Sequence, residues 1–113
     1  MIVRNITQDI VHQRWYRAHV GARATMLFSS GELQGLLFFA HAELEPGREI
    51  EIHVDPYEEI YYLVSGTGLI RVGEEEQQVN RGDAIWLPFG VPHGLKNNGT
   101  ETCIFVVAAS EPE

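Results

Sequence analysis

The sequence predicts an all-β fold, and two observations carry that prediction. Short runs rich in Val, Ile, Tyr and Phe recur along the 113-residue chain. Gly, Pro, Asn and Asp separate these runs at close intervals, and such residues tolerate positive φ or preset a turn. Many short strands at regular spacing are typical of a sandwich or a barrel. The strand pattern alone does not choose between a jelly roll and an immunoglobulin-like fold.

Nine strands follow from this pattern in chain order. They are predicted at 24–28, 36–44, 50–53, 59–64, 68–72, 77–79, 84–87, 93–96 and 102–108. Turn residues fill the gaps between them, such as Glu-Pro-Gly at 45–47 and Asn-Asn-Gly at 97–99. The segment 9–19 is the exception, because it lacks both turn residues and clean alternation. It predicts either a short helix or a strand that packs across a partner subunit.

Composition narrows the organisation of the chain and its partners. A hydrophobic content of 44%, without an internal repeat or linker, predicts a single domain over 1–113. That domain divides into an N-terminal segment, 1–34, and a strand-rich core, 35–110. The formal net charge of −8 argues against binding to nucleic acid or anionic membranes, since both need clustered Lys and Arg. The sequence shows neither a signal-peptide pattern nor a membrane-length apolar run, so the expected location is cytoplasmic.

Two motifs contain the side chains that carry chemistry. Residues 47–66 read G-x5-H-x-D-x3-E-x6-G, and residues 82–97 read G-x5-P-x-G-x2-H-x3-N. The candidate metal ligands in them are His53, Asp55, Glu59 and His93. His53 and Asp55 are two positions apart, so their side chains project from the same face of an extended segment. Pro56 then ends regular pairing, which allows Glu59 to open the next strand near the same point.

These motifs resemble the two motifs of the cupin superfamily. The first cupin motif is G-x5-H-x-H-x3,4-E-x6-G, and the second occurs here unchanged. The resemblance implies a small double-sheet jelly-roll barrel. It also implies metal ligation by His53, Glu59 and His93, with Asp55 in place of the usual second histidine. Three roles are open for Asp55: it ligates directly, ligates through water, or orients a neighbouring imidazole.

The implied cofactor is one divalent metal ion, for which iron, manganese, nickel and zinc are the candidates. An extra carboxylate favours manganese or iron over copper. The resemblance implies a metal-dependent enzyme acting on a small molecule, with a dioxygenase as first choice because a facial triad leaves room for oxygen. An isomerase, lyase or decarboxylase is the catalytic alternative, and a small-molecule binding or sensing module is the non-catalytic one. Single-domain cupins commonly pair, so the resemblance also implies a homodimer.

The alternation of side chains along the strands identifies further candidate residues around this site. Glu51 shares parity with His53 and is a candidate for proton transfer, with a solvated rim position as the alternative. Tyr61 shares parity with Glu59 and is the second candidate for proton transfer. His19 lies outside both motifs and receives no role. The candidate pocket residues are Leu95, Phe38, Ala40, Trp86 and Phe89.

Overall fold

Ten strands make up most of the computed structural model, which describes residues 1–12, 14–19 and 21–111. The strands are β1 (Tyr16–Ala18), β2 (Ala22–Phe28), β3 (Leu36–Leu44), β4 (Glu49–His53), β5 (Glu59–Ser65), β6 (Thr67–Val72), β7 (Glu75–Asn80), β8 (Ala84–Leu87), β9 (His93–Lys96) and β10 (Cys103–Ser110). A four-residue helix, α1 (Asp9–His12), precedes them. In the described part of the chain no helix is long and apolar enough to cross a membrane.

The strands form two antiparallel sheets. One sheet has six strands in the order β1-β2-β3-β10-β5-β8, and the other has four in the order β4-β9-β6-β7. The buried side chains of both sheets pack into one core, which joins Leu44 and Leu63 of the first sheet to Ile70 and Leu95 of the second. Every strand pair is antiparallel, and non-consecutive strands lie side by side. The all-β jelly-roll prediction is therefore confirmed.

All nine predicted strands are present, and the undecided segment 9–19 contains the short helix followed by a strand that pairs within its own chain rather than with a partner subunit. Its first part is α1, which places Val11 in the core. The Thr25 hydroxyl donates a hydrogen bond of 3.1 Å to the Val11 carbonyl, which fixes α1 against the sheet. Its second part is β1, which pairs with β2 of the same chain. Periodicity could not separate the two because each element is four residues long or shorter.

Strand β10 shows how alternation builds the core. Its residues alternate between buried and partly exposed along the whole strand. Cys103, Phe105, Val107 and Ala109 are the buried set, in line with period-two packing. Burial raises the pKa of the Cys103 thiol to about 11, so the single cysteine acts as a small apolar filler.

Candidate metal centre

Two histidines from different parts of the chain meet across one pair of strands. In the β4–β9 ladder His53 is the Cα partner of His93, and the ring centroids lie 4.4 Å apart. Gly94 permits this approach, because a Cβ atom at its position would lie 2.8 Å from the carbonyl oxygen of Ile50. A glycine in β9 thus brings the backbones of β4 and β9 together and places two imidazoles at one point.

Two carboxylates reach the same point. The Oδ2 atom of Asp55 lies 3.2 Å from Nε2 of His53 and 3.3 Å from Nε2 of His93. The Oε1 atom of Glu59 lies 3.4 Å from Nε2 of His93. One ligand atom from each of His53, Asp55 and His93 lies within 4.8 Å of the other two, which is close enough to share a single ion.

Backbone carbonyls determine which ring nitrogen of each histidine faces the centre. His53 Nδ1 lies 2.7 Å from the carbonyl oxygen of Glu51, and His93 Nδ1 lies 3.1 Å from that of Val91. A carbonyl oxygen only accepts, so both Nδ1 atoms donate. Nε2 of each ring therefore faces the carboxylates, to which it donates when the ring is protonated, and in the neutral ring it would offer its lone pair to a metal ion.

Two polar atoms at this point make no well-formed hydrogen bond among the described residues, although they pair with each other at 3.4 Å. They are Nε2 of His93 and Oε1 of Glu59, in side chains that are 2% and 5% exposed. A buried polar atom without a partner costs about 1–3 kcal/mol. A divalent cation bound between the carboxylates and the imidazoles would satisfy both atoms. The set of two imidazoles and two carboxylates also suits a first-row divalent ion, so the residues present fit the metal.

The pKa values of the cluster reflect its mutual contacts. Burial raises the pKa of Asp55, but hydrogen bonds with His53 and His93 outweigh it and hold that pKa below its ordinary value. Burial raises the pKa of Glu59. The hydrogen bond with Asp55 raises the pKa of His53. Burial lowers the pKa of His93, but Asp55 and Glu59 outweigh it and raise the pKa to about 9. Without a cation the imidazoles therefore retain protons, and metal binding would release them.

A third histidine, His19, covers the outer face of His53. The two ring centroids lie 4.0 Å apart, and Nδ1 of His19 lies 2.9 Å from Oε1 of Glu51. His19 has a φ of 58°, the left-handed conformation that non-glycine residues seldom adopt. Sequence analysis gave His19 no role because it lies outside both motifs. Its position depends on the β1–β2 connection, which left no signal in the sequence.

A cavity of about 260 Å³ adjoins the two carboxylates. Its walls are mostly apolar side chains from β2, β3 and β10, with Asp55 and Glu59 also exposed to it. Three tyrosines, Tyr16, Tyr57 and Tyr61, contribute to the lining. Burial raises the pKa of all three phenols, so they are protonated at neutral pH. The cavity therefore combines an apolar interior with neutral phenol groups.

A cupin-domain family model matches residues 40–109, which is more than half of the chain. The chain belongs to the cupin family. The matched residues include all four candidate metal ligands, His53, Asp55, Glu59 and His93. It also begins at Ala40, so the N-terminal segment with α1 and β1 lies outside the shared region.

Proteins of several descriptions are similar to this cupin. It is 35% identical over 63 residues to the tetracenomycin polyketide synthase protein TcmJ of Streptomyces glaucescens, covering 55% of this chain and 42% of that protein. It is 29% identical over 69 residues to the oxalate-binding protein of Thermotoga maritima, covering 60% and 57%. The chain spans about half the length of these curated relatives. The structure of a predicted oxalate decarboxylase from Thermotoga maritima shares the fold, with a TM-score of 0.73, 20% identity and coverage of 97% and 98%.

The candidate pocket residues of this cupin lie in three different places in the structure. Phe38, Ala40 and Tyr61 line the cavity beside the carboxylates. Leu95 was expected to form a pocket wall, but it packs in the core and does not line this cavity. Trp86 and Phe89 are 62% and 63% exposed, and neither lines the cavity.

The placement of Trp86 has a simple physical reason. Trp86 is the Cα partner of Ile60, and both side chains are exposed. Alternation along β8 separates its residues into two faces, but it does not say which face points toward the core. The indole N–H of Trp86 donates to Oε1 of Glu58 at 2.9 Å, which satisfies its polar atom at the surface.

Glu51 takes the solvated rim position that the sequence offered as the alternative to proton transfer. Its backbone carbonyl accepts from His53, and its exposed carboxylate contacts His19 rather than the cavity. The side chain is thus beside the centre, on the outer side of His53. Tyr61 is buried and lies edge-on to His93, with ring centroids 6.5 Å apart.

Proposed function

We propose that this cupin binds one divalent metal ion through His53, Asp55, Glu59 and His93. We further propose that it is a mononuclear metal-dependent enzyme acting on a small organic molecule. The observation that supports this most strongly is the buried cluster of two imidazoles and two carboxylates beside an apolar cavity, in which His93 Nε2 and Glu59 Oε1 make no well-formed hydrogen bond. Iron, manganese, nickel and zinc all suit the donor set. When bound, such an ion supplies a Lewis acid that polarises an oxygen atom of the substrate.

The chain supplies the remaining functions around the ion. His53 and His93 are held in orientation by their Nδ1 hydrogen bonds to the backbone. The cavity walls exclude water from the substrate. Tyr57 lines the cavity, and burial together with the charges of Asp55 and Glu59 raises its pKa, so it would donate a hydrogen bond to a substrate oxygen. Tyr57 is therefore a candidate hydrogen-bond donor to the substrate, and proton transfer by Tyr61 or Glu51 stays a prediction from the sequence.

A dioxygenase remains the first choice of reaction, because two histidines and two carboxylates would fill four positions of a six-coordinate ion and leave two for oxygen and substrate. An isomerase, lyase or decarboxylase would use the same residues for proton transfer beside a polarised carbonyl. One measurement distinguishes the dioxygenase from the isomerase, lyase or decarboxylase. Oxygen consumption with an iron-loaded protein would favour the dioxygenase, whereas turnover under nitrogen would favour the others.

Metal content of native-purified, untagged protein is the test of the proposed centre. We expect about one equivalent of metal by elemental mass spectrometry, and its loss in His93→Gln. His41→Gln is the matched control, because His41 is also buried but contacts Glu43 and Trp15 on the other side of β3. Absence of metal after reconstitution with each candidate ion would overturn the proposal.

A non-catalytic binding role is the second candidate. The oxalate-binding protein of Thermotoga maritima is a relative whose name describes binding rather than turnover. A binder needs no exchangeable position on the ion, whereas an enzyme does. Water-proton relaxation of the manganese-loaded protein would separate the two, since rapid water exchange on the ion favours the enzyme.

We also propose a homodimer formed through the outer face of the six-stranded sheet. Ile60, Tyr62, Val64 and Trp86 are all exposed large hydrophobic residues on β5 and β8. Contiguous exposed apolar surface often marks an interface. Light scattering after gel filtration should give a dimer that Trp86→Glu dissociates. Phe89→Glu, at an equally exposed residue outside the strands, should leave the dimer intact.

The cytoplasmic location remains a prediction from the sequence.

A further inference from the structure

Four alanines create the room inside this cupin. Ala22 and Ala24 on β2 and Ala40 and Ala42 on β3 are all buried, and all line the cavity. Ala24 and Ala42 are Cα partners, so the small side chains lie next to each other across the two strands. A larger side chain at these positions would fill the space that the alanines leave open. The space of about 260 Å³ is therefore a consequence of these particular residues.

The walls of this cavity are apolar except on the side where Asp55 and Glu59 lie. Met26, Phe38, Phe105 and Val107 form further walls, and the carboxylates of Asp55 and Glu59 reach the same cavity. Contact between these walls and an apolar ligand is favourable by about 25 cal/mol for each Å² of apolar surface that it removes from water. A polar ligand without an apolar part would gain nothing from these walls. The cavity is also below the range of roughly 300–1,000 Å³ that drug-sized ligands occupy.

Charge around the cavity argues against a small dianion. Among the described residues that line it, Arg17 is the one Lys or Arg side chain, and it is exposed. Asp55 and Glu59 place carboxylates on the same lining. A divalent metal ion would balance the two carboxylates, and apart from the exposed Arg17 the cavity would then have no net positive charge to compensate a bound dianion.

Tyr57 adds a feature that suits a flat ligand. Its ring lies edge-on to Phe38, with centroids 5.9 Å apart, and both line the cavity. Aromatic edges and faces pack favourably against another ring. The protonated hydroxyl of Tyr57 would donate to an oxygen of that ring.

We infer that the substrate is an uncharged or singly charged molecule containing about one apolar ring. The ring occupies the alanine-lined cavity, and its oxygen-bearing edge faces Asp55 and Glu59. This inference rests on the proposed function of the same centre, which supplies the metal. It excludes a dicarboxylate of oxalate size as the natural substrate, since such a molecule would leave the alanine walls uncovered.

Methyl-detected NMR with phenol and oxalate as probes tests the inference. The methyl groups of Met26, Ala24 and Ala40 report on the cavity, and that of Ala108, on the outward face of β10, is the control. We expect phenol to shift the cavity methyl signals in both metal-free and zinc-loaded protein. Oxalate should shift signals of residues near the centre only in the zinc-loaded protein, and should leave the cavity methyl groups unchanged.

Filling the cavity should weaken binding of the ring selectively. We expect Ala40→Leu to lower phenol affinity by about tenfold or more, which is a change of at least 1.4 kcal/mol. Zinc affinity should be unchanged, since Ala40 contributes no ligand. Ala108→Leu, on the outward face of β10, should change neither affinity. If Ala40→Leu fails to fold, the smaller change Ala40→Val serves the same purpose, with the melting temperature as the check on folding.

The outcomes separate this inference from the proposed function. Zinc binding without phenol shifts at the cavity methyl groups would overturn the ring inference and leave the metal centre intact. Phenol shifts in a protein that binds no metal would overturn the metal-dependent enzyme and leave a cavity for rings. Oxalate shifts at the cavity methyl groups would overturn the inference in favour of a dicarboxylate.

Discussion

Asp55 lies between the two histidines of the centre, with its Oδ2 atom 3.2 Å from Nε2 of His53 and 3.3 Å from Nε2 of His93. The residue thus contacts both imidazoles from the position at which the first cupin motif usually carries a histidine. A carboxylate there adds negative charge where a histidine would add none. That charge favours ions that prefer oxygen ligands, such as manganese and iron, and it raises the pKa of His53.

Asp55→Asn should lower metal affinity by about 10- to 100-fold, the usual effect of losing a group that ligates or orients ligands. The change removes the charge but keeps the shape of the side chain. Competition with a chelating dye should show a larger loss for manganese than for zinc. Asp55→His, which restores the usual motif, should recover zinc affinity. Unchanged affinity in Asp55→Asn would mean that Asp55 takes no part in binding.

His19→Ala should change the geometry of a bound metal ion by releasing His53. The ring of His19 stacks 4.0 Å from that of His53, so it restricts how the ring tilts. The visible absorption spectrum of the cobalt-loaded protein should shift, because it responds to ligand geometry. His19→Phe keeps an aromatic ring at the same place and should retain the wild-type spectrum. A spectrum unaltered by His19→Ala would contradict this positioning role.

Gly94→Ala should destabilise the protein by about 1–3 kcal/mol, the usual cost of overpacking. The new Cβ atom would lie 2.8 Å from the carbonyl oxygen of Ile50, so β4 and β9 would have to separate. Metal affinity should fall in parallel, since those strands carry His53 and His93. Gly35→Ala is the matched control, because nothing lies within 4 Å of its Cβ position. Equal denaturation midpoints for the two variants would refute the expectation.

The metal-free protein should lose stability as the pH rises from about 6.5 to about 9. His93 has a pKa of about 9 in the folded protein against 6.5 ordinarily, so the folded state binds the proton more tightly. This contribution is complete below 6.5 and disappears as the pH rises through 9, at about 1.4 kcal/mol per pKa unit at most. Thermal melts over this range should show the decline, and His93→Gln should reduce it. Bound zinc should also reduce it, because the ion replaces the proton.

Much of the fold and centre could be predicted because the relevant signals are local. Turn residues and alternation located the nine strands, and motif spacing brought His53, Asp55, Glu59 and His93 together. These four meet because strand register fixes their neighbours, as in the direct pairing of His53 with His93.

Other features depend on geometry that the sequence does not encode locally. Parity divided the residues of β8 into two sets, but the direction of Trp86 depended on which face packs against the second sheet. His19 reaches His53 through the path of the β1–β2 connection. Tyr57 follows Asp55 by two residues, and only the return of the chain into β5 places it in the cavity.

The position of β10 has a consequence for the order of events during synthesis. This strand follows every other strand in the chain, yet it lies between β3 and β5 in the six-stranded sheet. Until it emerges from the ribosome, β1-β2-β3 and β5-β8 are separate ladders with no hydrogen-bonded strand between them. Glu59 begins β5 and is the partner of Ala109 near the end of β10. The four ligands of the proposed metal centre would therefore be held together on a complete sheet only after β10 has emerged.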